Sequence, residues 1–320
     1  MNRALWALLL ALAVVVPLSL LAGRVWIDPF DPQTRNALVI VLELRMPRAA
    51  LALVVGAGLG SAGAAMQGYL RNPLADPGLF GIAPGAALGA VLSFWAGYAA
   101  SAWLLPISAL LGAGGAMALL ALIAGRDGGI ALFTLAGLMI ASLAGALMSL
   151  AISLSPTPFA MSEIVTWLMG ALADRSWREV WIAAPLTGLG IGLLMLAGRS
   201  LDALTLGEAA ARSLGVEPRK LQALLVAGVG LTVGASVAVA GIIGFVGLIV
   251  PHLIRPLTDR RPSSLLLPSA LAGALLLLMA DCLCRILPLA GGELRLGIAL
   301  SLIGAPFFLH LLIKMRRGLA

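Results

Sequence analysis

This sequence has little charge. Asp, Glu, Lys and Arg make up 11% of its 320 residues, hydrophobic residues make up 61%, and the mean hydropathy is +1.06. Soluble domains carry roughly 25% charged residues, so a water-soluble globular fold is excluded. Lysine is nearly absent. Lys220 and Lys314 follow Arg219 and Ile313 rather than glycine, so there is no G-x-x-x-x-G-K-[ST] loop and no route to ATP through that motif. Histidine and cysteine number two each. His252 and His310 lie near the ends of apolar runs and read as interfacial polar groups. Cys282 and Cys284 read as small buried hydrophobes, because a metal site needs more ligands. No nucleophile–base pair and no H-E-x-x-H set is present, which argues against an enzyme. No metal or cofactor is expected on this chain. The net charge of +7 is scattered among apolar runs and offers no basic face for nucleic acid.

What fills the chain instead is apolar runs of about 20 residues, the signature of a polytopic membrane protein. About ten spans are expected, at 4–22, 49–70, 82–102, 104–125, 130–154, 180–198, 221–241, 243–255, 264–287 and 296–315. The eighth is short and is expected to be broken or tilted. The first is long for a signal peptide and is read as a retained span. An even count puts both termini on one side. Placing them in the cytoplasm leaves Arg24, Arg35, Arg45, Arg48, Arg175, Arg178, Arg285 and Arg295 outside and the majority of the Lys and Arg residues, Arg126 among them, inside. That agrees with the positive-inside rule. The outer arginines still need a role.

Small residues recur four apart: Gly56 and Gly60, Gly85 and Gly89, Gly230 and Gly234, and the ladder Gly137, Ala141, Gly145 and Ser149. Such ladders let helices approach closely in lipid. The last is the best candidate for a helix facing a substrate path. An ion-coupled secondary transporter would need ionisable groups near mid-membrane. Asp281 falls late in its span and Glu163 falls in a loop, so that class remains the rival reading with little to support it.

One stretch, LTLGEAAARSLGVEPRK at 204–220, is polar and short. Thr205 and Glu208 have capping-box spacing, Glu208 and Arg212 are four apart, and Gly215 followed by Pro218 reads as a stop and a restart. A helix of two to three turns is marginal alone. Its apolar side, Ala209 and Ala210, suits close protein contact better than lipid.

That stretch resembles the cytoplasmic coupling segment of the FecCD-type permeases, the membrane subunits of bacterial ABC importers for iron-siderophores, haem and vitamin B12. So do LRMPRAALALVVGAGLGSAGAAMQGYLRNPLADPGLFGIAPGAALGA at 44–90, WLMGALADRSW at 167–177, AGIIGFVGLIVPHLIRPL at 240–257, MADCLCR at 279–285 and LGIALSLIGAPFFLHLL at 296–312, in the same order. The resemblance implies an all-α type II ABC importer permease fold. Residues 1–320 would form a single transmembrane domain, with coupling helices at about 202–220. It implies a homodimer in the inner membrane, two cytoplasmic ABC ATPase subunits that use ATP and Mg, and a periplasmic substrate-binding protein. Thr205, Leu206, Gly207, Glu208, Ala209, Ala210, Arg212, Leu214 and Gly215 would contact the ATPase. Arg45, Arg48 and Arg285 would receive acidic residues of the binding protein. A cytoplasmic gate would fall at Gly129, Ile130 and Ala131, with Gly137, Ala141 and Gly145 along the path. An iron chelate is the leading expectation for the cargo, with vitamin B12 as the alternative.

Overall fold

The computed structural model describes residues 2–23, 37–98, 101, 103–125, 129–287 and 292–319, and all regular structure among them is helical. Arg24, Arg35 and Arg126 lie outside the described residues. The helices are α1 (Asn2–Leu21), α2 (Ala37–Val39), a π-helical turn (Ile40–Arg45), α3 (Met46–Leu70), α4 (Ile82–Trp95), α5 (Leu104–Ala124), α6 (Ile130–Ser153) and α7 (Pro158–Leu168). They continue with α8 (Trp177–Leu204), α9 (Glu208–Ser213), α10 (Pro218–Ala240), α11 (Val246–Ile254), α12 (Pro262–Ile286) and α13 (Leu296–Leu319). Among the described residues, seven helices are long and apolar enough to cross a membrane. Each of the ten expected spans coincides with a helix, but α4 and α11 are shorter than a span. Proline begins α3, α7, α10 and α12, where its missing N–H costs nothing. Ser176 and Glu179 form the capping box that starts α8.

α3 runs through the core. Leu51, Ala52, Val55, Ala62 and Ala65 on it are fully buried. Its glycines explain how it fits. A Cβ on Gly56 would overlap the backbone of Gly273 in α12, and a Cβ on Gly273 would overlap Gly56 in return. Gly60 meets Ser269 in the same way. Gly85 and Gly89 of α4 lie against Gly112 and Ser108 of α5, and Gly230 of α10 lies against Met117. Three of the four small-residue ladders are therefore helix–helix seams.

Two segments leave helical form inside the bundle. After α3 the chain turns at Arg71 and re-enters as a 3₁₀ turn, Pro77–Phe80. Pro77 reaches Gly247, Gly81 reaches Ile140, and Phe80 is buried on Phe133 at a centroid distance of 5.4 Å. Asp76 accepts the Gly78 N–H at 2.7 Å. This re-entry explains why α4 is short. The second break separates α10 from α11 at residues 241–245. There the Ala171 N–H donates to the Ala240 carbonyl at 2.8 Å, and the Gly297 N–H donates to the Gly170 carbonyl at 3.3 Å. Gly170 and Gly241 sit back to back with positive φ, where side chains would collide. Broken backbone at depth survives where protein answers its polar groups.

Candidate functional site

At the end of the bundle reached by Leu70, α8 continues to Leu204 and absorbs Thr205 as its C-cap. The Thr205 hydroxyl donates to the Asp202 carbonyl at 2.7 Å. The expected capping box between Thr205 and Glu208 is therefore not formed. The residue before α9 is Gly207, at φ 102° and ψ 158° with no side-chain cap. Glu208 and Arg212 stand one turn apart, but no salt bridge joins them among the described residues. Gly215, at φ 85°, ends the helix as expected, with the Val216 N–H donating to the Ala211 carbonyl at 3.0 Å. Ala211 turns inward, and Ala209, Arg212 and Ser213 face out. Leu206 and Leu214 flank the helix at 67% and 64% exposure, a pair of apolar knobs on an otherwise polar face.

Behind α9, Glu208 lines a narrow cleft with Ile130, Tyr69 and Gln222. A Cβ on Gly129 would lie 3.7 Å from Glu208 Oε2. Gln222 Nε2 donates to the Tyr69 hydroxyl at 3.0 Å, and the Tyr69 ring meets Phe133 edge-on at 5.3 Å. The structure thus brings the residues expected for coupling and for the gate together: Glu208 of α9 and Ile130 at the start of α6 line one cleft. Ala131 is exposed, Gly137 is buried, and Ala141 and Gly145 are half-buried. Unlike the other ladders, this one opens outward at Gly145, where a Cβ would meet nothing within 4 Å. Leu135, Leu138, Leu143 and Leu147 on the same helix are exposed.

Arg45, Arg48 and Arg285 gather at the opposite end of α3, and their state differs from the expectation. Arg48 Nε donates to both carboxylate oxygens of Asp281 at 3.0 Å, and its Nη2 reaches Asp281 at 2.9 Å and Glu293 at 2.8 Å. Arg285 Nε lies 3.1 Å from the same Asp281. Asp281 is 1% exposed, Arg285 5% and Arg48 13%. Arg45 donates to the carbonyls of Leu20 and Leu21 at 2.9 and 2.8 Å, closing the end of α1. These arginines do not stand free. They are held by internal carboxylates and carbonyls, and Glu293 is the one exposed member of the set. Among the described residues, no group of three or more His, Cys, Asp or Glu side chains could hold a metal.

Comparison with known proteins decides the family. The profile of the FecCD transport family matches residues 5–314. The chain belongs to that family. Over 318 residues it is 39% identical to the vitamin B12 import system permease protein BtuC of Salmonella paratyphi A, covering 98% of this chain and 96% of the relative. The BtuC of Salmonella typhimurium matches to the same extent. Among solved structures, an inward-facing metal-chelate type ABC transporter superposes with a TM-score of 0.89 at 34% identity, covering 98% of this chain and all of that one. PsaBC of Streptococcus pneumoniae shares the fold at a TM-score of 0.53 and 20% identity, over 82% and 88% of the two chains. This FecCD protein is thus a multi-pass membrane permease of the ABC importer type. Two of its features escaped sequence reasoning. Asp281 as the partner of Arg48 joins positions 233 residues apart, and only its acidic charge in an apolar run marked it. The exposure of Leu206 and Leu214 follows from α8 running on to Leu204.

Proposed function

We propose that this chain is the permease subunit of a vitamin B12 importer, working as a homodimer with two cytoplasmic ATPase subunits and a periplasmic binding protein. The full-length 39% identity to B12 import permeases carries the choice of cargo. It moves vitamin B12 ahead of the iron chelate that the sequence favoured. An iron or other metal chelate stays as the second reading, on the likeness to the metal-chelate type transporter. ATP hydrolysis belongs to the partner chains in this reading. The α9 end faces the cytoplasm, supported by the excess of Lys and Arg there, and Leu206, Glu208, Arg212 and Leu214 contact the ATPase. Movement of α9 passes through Glu208 and Ile130 to α6, which lines the path. The Arg45 and Arg48 end faces the periplasm. A carboxylate of the binding protein exchanges with Glu293 on Arg48, and Arg285 holds Asp281 in place behind it.

Reconstitution tests the reading. Vesicles holding this chain, its ATPase and internal ATP should take up radiolabelled cyanocobalamin delivered by the binding protein, and should ignore a ferric hydroxamate. Uptake of the ferric chelate alone would move the assignment to the second reading. Uptake by this chain without ATP or partners would remove the ABC mechanism.

A further inference from the structure

Beside the Arg48 cluster lies a cavity of about 340 Å³ that the reading above leaves without a task. It shares Ala171, Ala173 and Arg295 with the cleft around Arg48 and Asp281, so it opens at the same end of the molecule. Phe94, Leu105 and Trp167 give it apolar walls, and the Phe94 and Trp167 rings meet at 5.9 Å. Arg175 and Arg295 are half-buried in it, while Glu163 and Asp174 are exposed at its rim. Positive charge is thus deep and negative charge shallow.

Arg175 is the anomaly. Neither guanidinium takes part in a hydrogen bond or ion pair among the described residues, and the buried Nε of Arg175 has no partner. The indole N–H of Trp167 is likewise buried and unanswered. A buried donor left unmade costs about 1–3 kcal/mol, and more for a charged group. Burial also holds the Arg175 guanidinium below its ordinary pKa. Among the described residues of this end, Arg48 is answered by Asp281 and Glu293, and Arg285, whose Nε also lacks a hydrogen bond, has its ion pair with Asp281. Asp174 and Glu179 are close enough to act on the Arg175 charge, but two guanidinium groups with no hydrogen-bond or ion-pair partner among the described residues, over aromatic walls, suit an oxyanion carried on a bulky apolar body. The volume is that of a small-molecule site, typically about 300–1,000 Å³, and exceeds what one protein carboxylate would fill.

We propose that Arg175 and Arg295 form a reception subsite for an oxyanion of the cargo as it leaves the binding protein. Resting on the vitamin B12 reading, the group received is the phosphodiester of the nucleotide loop, and the aromatic walls take its base. Cobinamide, the corrin without that loop, separates this from other roles. Uptake of cyanocobalamin and of cobinamide is measured in vesicles holding the full complex, for the wild type, Arg175→Gln, Arg295→Gln and Arg175→Lys. Each Gln variant should lower cyanocobalamin uptake at limiting cargo by roughly tenfold, the worth of one charge-assisted hydrogen bond. Cobinamide uptake should change less than about twofold, and the Lys variant should recover part of the loss. Equal losses for both corrins would show a structural role and overturn the subsite. Unchanged uptake of both would also overturn it. So would weakened docking of the cargo-free binding protein in the Gln variants, because the cavity would then receive a protein carboxylate. A wild type that moves neither corrin would instead overturn the vitamin B12 reading itself, and the subsite as stated with it.

Discussion

Asp281 holds two guanidinium groups at once, and that single carboxylate ties α3 to α12. With Asp281 neutralised, Arg48 and Arg285 would lie side by side at 13% and 5% exposure with no buried counter-charge. Breaking one partner of such a set costs about 3–5 kcal/mol. Asp281→Asn should therefore lower the detergent-solubilised melting temperature by several degrees. An unshifted melting curve would show that Glu293 compensates alone. Residues like this are where the sequence was least legible. The arginines were visible as unexplained charge, and Arg285 stands four residues after Asp281 on the same helix, but the pairing of Arg48 with Asp281 exists only once α3 and α12 cross. The Thr205 cap failed for a related reason. Its spacing to Glu208 fits a capping box, yet the apolar pattern of α8 extends one turn further and takes the threonine for its own end.

Among the elements, α9 is short and largely exposed. Its six residues have no cap and no internal salt bridge, so its shape comes from Gly207, Gly215 and the inward Ala211. The apolar groups exposed on either side of it are Leu206 and Leu214. Burying a leucine is worth about 1.5–3 kcal/mol, so the double change Leu206→Ser with Leu214→Ser should reduce co-purification of the ATPase at least about tenfold. The fold should persist, since both side chains project into solvent. Undiminished co-purification would put the contact elsewhere. The existence of α9 was plain in the sequence, because polarity and glycine punctuation interrupt an apolar chain. The re-entrant turn at Pro77–Phe80 was not plain. Two prolines and an aspartate read equally as a surface turn, and only the burial of Phe80 on Phe133 places them inside.

At the scale of the whole molecule, the spans were legible because length and hydropathy suffice for them. Their arrangement was not. Four glycine ladders looked alike, and three became internal seams while the one on α6 opens outward. That asymmetry gives the proposed homodimer a candidate face. In a background with Cys282 and Cys284 replaced by alanine, Gly145→Cys should form a copper-induced crosslink between two copies. A cysteine in place of Leu10 of α1, 68% exposed, should not. Crosslinking at Leu10 alone would place the dimer axis on the other side.

The short α4 carries a consequence for how the chain enters the bilayer. Fourteen residues rise about 21 Å, against a hydrocarbon core of about 30 Å, so α4 is too short to settle across a membrane by itself. Its Gly85 and Gly89 fit against Gly112 and Ser108 of α5 with no room for a side chain. Biogenesis therefore has to treat α4 and α5 as one hairpin, inserted together. A bulky residue at Gly112 would then be felt first as failed membrane integration, before any cargo or motor is involved.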